Sequence, residues 1–117
     1  MATLTTHVLD TMNGCAAAGM TVALYRIDAG SATLLHQTVL NADGRTPDLA
    51  QAAAALTVGR YRLVFQVAAY FRARGVALPE PPFLDEVPVD FGIGEASGRY
   101  HVPLLTSPWA YSTYRGS

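Results

Sequence analysis

An all-β sandwich of short strands with one brief helix is the fold class this sequence predicts, and three observations predict it. Apolar and polar residues alternate over successive stretches of about six to eight residues. Turn residues punctuate those stretches, among them Asn13-Gly14, Asp28-Ala29-Gly30 and Asp43-Gly44. Only residues 68–75 change to a helical period. Roughly seven or eight such strands make a sandwich rather than an α/β enzyme. A chain of 117 residues supports a single domain, residues 1–117, around one core.

In order along the chain, residues 4–9 read as a first strand, with Thr5, His7 and Leu9 on one face and Thr6, Val8 and Asp10 on the other. Residues 10–19 read as a loop of small residues around the Asn13-Gly14 turn. Residues 20–28 form a second strand whose two faces, Val22 and Leu24 against Ala23, Tyr25 and Ile27, are both apolar. A strand apolar on both sides belongs inside a sandwich or at an interface. Residues 33–40 make a third strand of mixed polarity, ended by Asn41-Ala42-Asp43-Gly44. Residues 51–56, with their alanine run, are too short and too near Gly59 for a stable helix and read as irregular or as a short strand. Residues 60–67 alternate most cleanly, Tyr61, Leu63, Phe65 and Val67 opposing Arg60, Arg62, Val64 and Gln66. The helix over 68–75 ends at Gly75, and proline-rich 78–83 is loop. Residues 87–93 alternate again, but Pro88 confines them to a sheet edge or a strand start. Tyr100, Val102, Leu104 and Thr106 opposing Arg99, His101, Pro103 and Leu105 make a further strand, residues 109–114 make the last, and Trp109, Tyr111 and Tyr114 so near the last residue imply a packed tail.

Composition excludes several function classes. A formal net charge of -1 with no basic stripe argues against nucleic-acid binding. No apolar run approaches the length of a membrane span, and the first residues lack the basic start and apolar stretch of a signal peptide. One cysteine, Cys15, leaves no internal disulfide, which suits a reducing compartment, with the cytoplasm as the default. No G-x-G-x-x-G, phosphate loop, H-E-x-x-H or serine nucleophile elbow is present. The chemistry therefore falls to few groups. His7 and His101 lie on strands among apolar residues, where a lone histidine is ordinarily a hydrogen-bonded packing residue. His7, His36 and His101 match no recurring zinc spacing, so no metal is expected. Arg45 follows a tight turn, where a solvated side chain is the ordinary reading, and nothing near Cys15 in sequence activates it.

Longer motifs carry a resemblance. L-T-T-H-V-L-D-T (4–11), N-A-D-G-R (41–45), G-R-Y-R-L-V-F (59–65), A-Y-F (69–71), F-L-D-E-V-P-V (83–89) and Y-H-V-P-L-L-T-S-P-W-A-Y-S-T-Y-R-G-S (100–117) resemble, in family order, the transthyretin-related 5-hydroxyisourate hydrolases of urate breakdown. Transthyretins proper share the fold but lack the Y-R-G-S segment and the histidine pair. The resemblance implies a transthyretin-like sandwich of two four-stranded sheets with a short helix after the fifth strand, and a strand near residues 51–56. It also implies a homotetramer built as a dimer of dimers, with active sites where dimers meet. Its catalytic residues fall on His7, Arg45, His101 and Ser117, with Tyr114 joining them in substrate binding. Trp109 stands where a smaller or different aromatic is common, and 84–86 and 79–82 lie in variable loops.

The chemistry fits those residue types. Opening a cyclic ureide needs a water aimed at a carbonyl carbon, a donor for the developing oxyanion and a proton for the departing nitrogen. His7 and His101 suit the proton transfers, Arg45 the oxyanion, and Ser117 the orientation of water or substrate, with no cofactor; Arg115 and Gly116 are expected only to anchor and turn the tail. Two rival classes remain at this point: a small-molecule carrier on the same sandwich, and an interaction module whose aromatic tail is adhesive.

Overall fold

The computed structural model describes residues 2–47, 49, 51 and 56–116. Its strands are β1 (Thr3–Thr5), β2 (Val8–Asp10), β3 (Cys15–Ala16), β4 (Thr21–Asp28), β5 (Ser31–Val39), β6 (Gly59–Gln66), β7 (Glu86–Ile93), β8 (Arg99–His101), β9 (Leu104–Thr106) and β10 (Tyr111–Thr113), with helix α1 (Val67–Ala73) after β6. One sheet has the order β5-β4-β6-β7; opposite it, β10-β9-β2-β3 is continued by the parallel pair β1-β8. The result is the predicted sandwich of two four-stranded sheets with a short helix.

Alternation decides the core. Val22 and Leu24 on β4, Tyr61, Leu63 and Phe65 on β6, and Val87 and Val89 on β7 turn inward against Leu4, Val8, Tyr100, Val102 and Leu104 of the facing sheet. Each fully buried Leu or Phe contributes about 1.5–3 kcal/mol. Helix α1 adds Val67, Tyr70 and Phe71 to the same core. Pro88 sits on β7, an edge strand, where its missing N–H costs no ladder bond on the open side.

The first strand differs from the even run expected over 4–9. It breaks at Thr6 and His7, where the inward-facing Thr6 donates its hydroxyl to the Val102 carbonyl at 2.7 Å. The opposite strand breaks at the same level, where Pro103 has no N–H to give. The ladder bridges the gap through Val102 N–H to the Thr5 carbonyl (2.9 Å) and Leu104 N–H to the His7 carbonyl (3.0 Å). The expected loop 10–19 contains β3, which pairs back onto Leu9 and Asp10 once the Asp10 carboxylate accepts from the Asn13 N–H at 2.9 Å. The expectation for 51–56 lies partly outside the described residues; Gln51 is helical, as are Pro47 and Leu49, and Leu56 is buried. Trp109, Tyr111 and Tyr114 are not buried as expected but are 58%, 44% and 60% exposed.

Candidate active site

The breaks in the paired strands position the histidines. His7 stands in the gap between β1 and β2, half-buried, and His101 ends β8 directly opposite Thr5. The Thr5 hydroxyl lies 2.8 Å from His101 Nδ1.

Arg45 reaches this place through its turn. The Asn41 side-chain oxygen accepts from the N–H groups of Asp43 (2.9 Å) and Arg45 (3.1 Å), and Asn41 N–H donates to the Arg45 carbonyl at 2.8 Å. Gly44 has φ +70°, and a side chain there would meet the Val8 carbonyl oxygen at 2.6 Å. Only glycine lets the turn come close enough for the Gly44 carbonyl to accept from Val8 N–H at 3.0 Å. That bond fastens the turn to the residue after His7.

Arg45 and His7 both act on His101 as a result. Burial, then the positive charge of Arg45, then His7 hold the His101 imidazole below the usual histidine range, and a hydrogen bond to the Thr5 backbone works the other way. A neutral imidazole is the form that can accept a proton. Two shallow depressions flank the cluster. One of about 230 Å³ is lined by Thr5, Thr6, Asn41, Arg45, Thr46 and Pro47; one of about 190 Å³ by Thr3, Thr5, Arg99, Tyr100 and His101. Thr5 belongs to both.

The tail closes over His101 from the other side. Gly116 pairs with His101 across an antiparallel bridge, its N–H donating to the His101 carbonyl at 2.8 Å. A side chain at Gly116 would overlap the imidazole at Cδ2 and Cγ. Arg115 donates to the Arg99 carbonyl at 3.2 Å and lays its guanidinium over the Tyr100 ring, 4.5 Å from the centroid. Gly116 thus does more than turn the chain, since it is the surface on which the histidine ring rests.

Tyr114, His36 and Cys15 lie apart from this cluster. Tyr114 lines a separate depression with Val89, Phe91, Tyr100 and Arg115, and Ser117 is outside the described residues. His36 is on β5 in the other sheet, its Nε2 buried without a hydrogen-bond partner among the described residues. The Cys15 thiol points at the buried Asp10 carboxylate, Sγ 4.0 Å from Oδ2. Among the described residues no group of three or more His, Cys, Asp and Glu side chains is placed to hold a metal ion, and no helix is long and apolar enough to cross a membrane. Thr5 and Gly116 are the residues that sequence reasoning missed. A threonine two before a histidine carries no signal of its own; the R-G pair of the tail was visible, but not what the glycine meets.

Residues 4–116 match the HIUase/Transthyretin family. The chain is 54% identical over 114 residues to the 5-hydroxyisourate hydrolase of Mesorhizobium japonicum, across 97% of this chain and 91% of that protein. Among solved structures, (S)-allantoin synthase superimposes with a TM-score of 0.87 at 43% identity, over 99% of this chain but 44% of that longer one. The 5-hydroxyisourate hydrolase of Klebsiella pneumoniae gives 0.83 at 38% identity, over 100% of both chains. Sea bream transthyretin in complex with thyroxine gives 0.84 at 27% identity, over 97% of this chain and 93% of that one.

Proposed function

The chain belongs to the HIUase/transthyretin family, and from that premise we propose that it hydrolyses 5-hydroxyisourate to 2-oxo-4-hydroxy-4-carboxy-5-ureidoimidazoline in urate degradation. The observation that carries this reading is that Arg45 and His7 both act electrostatically on His101, while Arg45 and His101 line two depressions that share Thr5. A carrier has no need of an imidazole whose charged form is disfavoured by burial and by a neighbouring guanidinium.

In the reaction, one imidazole takes a proton from water as its oxygen adds to the ring carbonyl carbon. Arg45 offers its planar fork to the negative charge that develops on the carbonyl oxygen. Collapse breaks the carbon–nitrogen bond, and an imidazolium returns the proton to the departing nitrogen. Water is consumed, an N–H and a carboxylic acid that releases its proton to solvent are formed, and nothing is oxidised. Ser117 is assigned to orienting water or substrate and Tyr114 to substrate contact, both through the Y-R-G-S segment they bracket.

The same reading makes the working unit a homotetramer, a dimer of dimers, in the cytoplasm. Its support is the apolar surface one protomer leaves open: Trp109 and Phe83, ring centroids 6.1 Å apart and 58% and 70% exposed, with Tyr111 and Tyr114 on the same tail. The open edges of β7 and β10 add unpaired backbone.

Ultraviolet absorbance of freshly made 5-hydroxyisourate tests the activity. Purified protein is expected to speed its decay far above the spontaneous rate; decay at the spontaneous rate, with the protein folded, sinks the reading.

A further inference from the structure

We propose that Thr5 is a positioning residue for His101, its hydroxyl accepting the Nδ1–H of the imidazole so that Nε2 alone exchanges protons during turnover. The proposal rests on the hydrolytic reading above and adds to it a residue for which that reading has no role.

Four observations carry it. The Thr5 hydroxyl oxygen is 2.8 Å from Nδ1, within hydrogen-bond distance of the ring. The two residues are direct partners in the parallel β1-β8 ladder, and Val102 N–H to the Thr5 carbonyl at 2.9 Å holds that register, so the contact is built into the sheet. Threonine is branched at Cβ and stiff about χ1, which keeps its hydroxyl aimed where the ladder puts it. The opposite flank of the ring is closed by Gly116, whose backbone leaves no room beside Cδ2 and Cγ. The imidazole is therefore held on both sides.

A hydroxyl at Nδ1 suits a histidine that must both take and give a proton. It accepts from Nδ1–H in the neutral ring and in the imidazolium alike, so the bond survives the cycle. The Nε2 lone pair takes the proton from the attacking water, and the same atom returns it to the leaving nitrogen. If Nδ1 titrated instead, the bond to Thr5 would reverse with every turnover and the ring would lose its fixed direction.

The test uses the full chain and the variants Thr5→Val, of nearly equal shape without the hydroxyl, and Thr5→Ser, which keeps it. Nitrogen-15 spectra of labelled histidine report which ring nitrogen of neutral His101 carries the proton, without reference to activity. The parent is expected to carry it on Nδ1. Thr5→Val should lose that preference and lower kcat by about 10-fold with KM within about 2-fold, and Thr5→Ser should restore both. A parent protonated on Nε2, a valine variant with parental tautomer and kcat, or a serine variant as impaired as the valine one overturns the proposal. If the parent does not speed 5-hydroxyisourate decay, it is the hydrolytic reading that fails, and the tautomer measurement by itself still decides the role of Thr5.

Discussion

Replacing Gly116 by alanine separates the tail's part in the site from its part in the fold. A methyl group at this position would lie 3.0 Å from His101 Cγ and 3.2 Å from its Cβ, and would overlap Cδ2. Ordinary carbon contacts are about 3.5–4.0 Å, so the ring must retreat by about 1 Å or the tail must lift. Lifting forfeits the Gly116 N–H bond to the His101 carbonyl, about 1 kcal/mol, and removes the wall behind the imidazole. Either response misplaces a proton-transfer group on the 1 Å scale, which costs about 10²-fold in rate, or about 2.7 kcal/mol of barrier. The cost to the fold is smaller, since Gly116 lies beyond β10 and contributes no side chain to the core. A loss of about 1 kcal/mol corresponds to a Tm lower by roughly 4 °C. Steady-state decay of 5-hydroxyisourate beside a thermal melt gives both numbers. A Gly116→Ala protein with kcat within about 2-fold of the parent refutes the contact between tail and histidine; a melt lowered by tens of degrees refutes the claim that the tail is peripheral to stability.

Four further outcomes are expected. Alanine at His7 or His101 should lower turnover by about 10²-fold, while His36→Ala, altered in the other sheet, should stay near the parental rate; equal losses at all three would return the pair to a packing role. Because burial, Arg45 and His7 hold His101 below the ordinary imidazole range, the acid limb of kcat/KM should fall below about pH 6.5, and a limb above that value contradicts the arrangement. Tyr70→Phe removes the hydroxyl that donates at 2.8 Å to the fully buried Asp10 carboxylate and should cost about 1.5–3 kcal/mol near neutrality. Burial pushes the Asp10 carboxyl up, but the Asn13 side-chain and backbone bonds, Tyr70 and Arg74 together bring it below its usual value, so its contribution is present above about pH 4 and lost as pH falls through the folded pKa. Denaturant melts at stepped pH should therefore show the Tyr70→Phe deficit shrinking in acid, and a constant deficit excludes the linkage. Sedimentation at micromolar protein should give a tetramer; monomer alone contradicts the assembly read from Phe83, Trp109, Tyr111 and Tyr114.

Most of the sandwich was legible because period-2 alternation records burial directly. Tyr61, Leu63 and Phe65 announce their inward face without help from distant residues, and Pro88 announces an edge. The break at His7 was not legible, because Thr6 and Val8 continue the alternation perfectly well on paper. At the interruption Thr6 bonds to Val102, 96 residues away, opposite a proline that leaves the ladder one donor short. The Asp43-Gly44 turn was visible, but the reason for its glycine lies in the Val8 carbonyl it must approach. Cys15 and Ala16 read as loop since a two-residue strand carries no period at all.

The site depends on contacts of that long-range kind. The thyroxine-bound transthyretin and the 5-hydroxyisourate hydrolase compared above superimpose almost equally well on this chain, so backbone shape cannot separate their chemistry. The parallel pairing of β1 with β8 supplies a frame in which a threonine on one strand faces a histidine on the other. Interrupting both strands one step further on frees His7 from the ladder while its carbonyl stays bonded to Leu104 N–H. A continuous strand would fix His7 by the pleat alone. The gap lets its position be set also by the Arg45 turn, which is stapled to Val8 by a bond that only a glycine at 44 permits. Closing Gly44 with any side chain should therefore disturb Arg45 and His7 together and leave the Thr5–His101 contact in place.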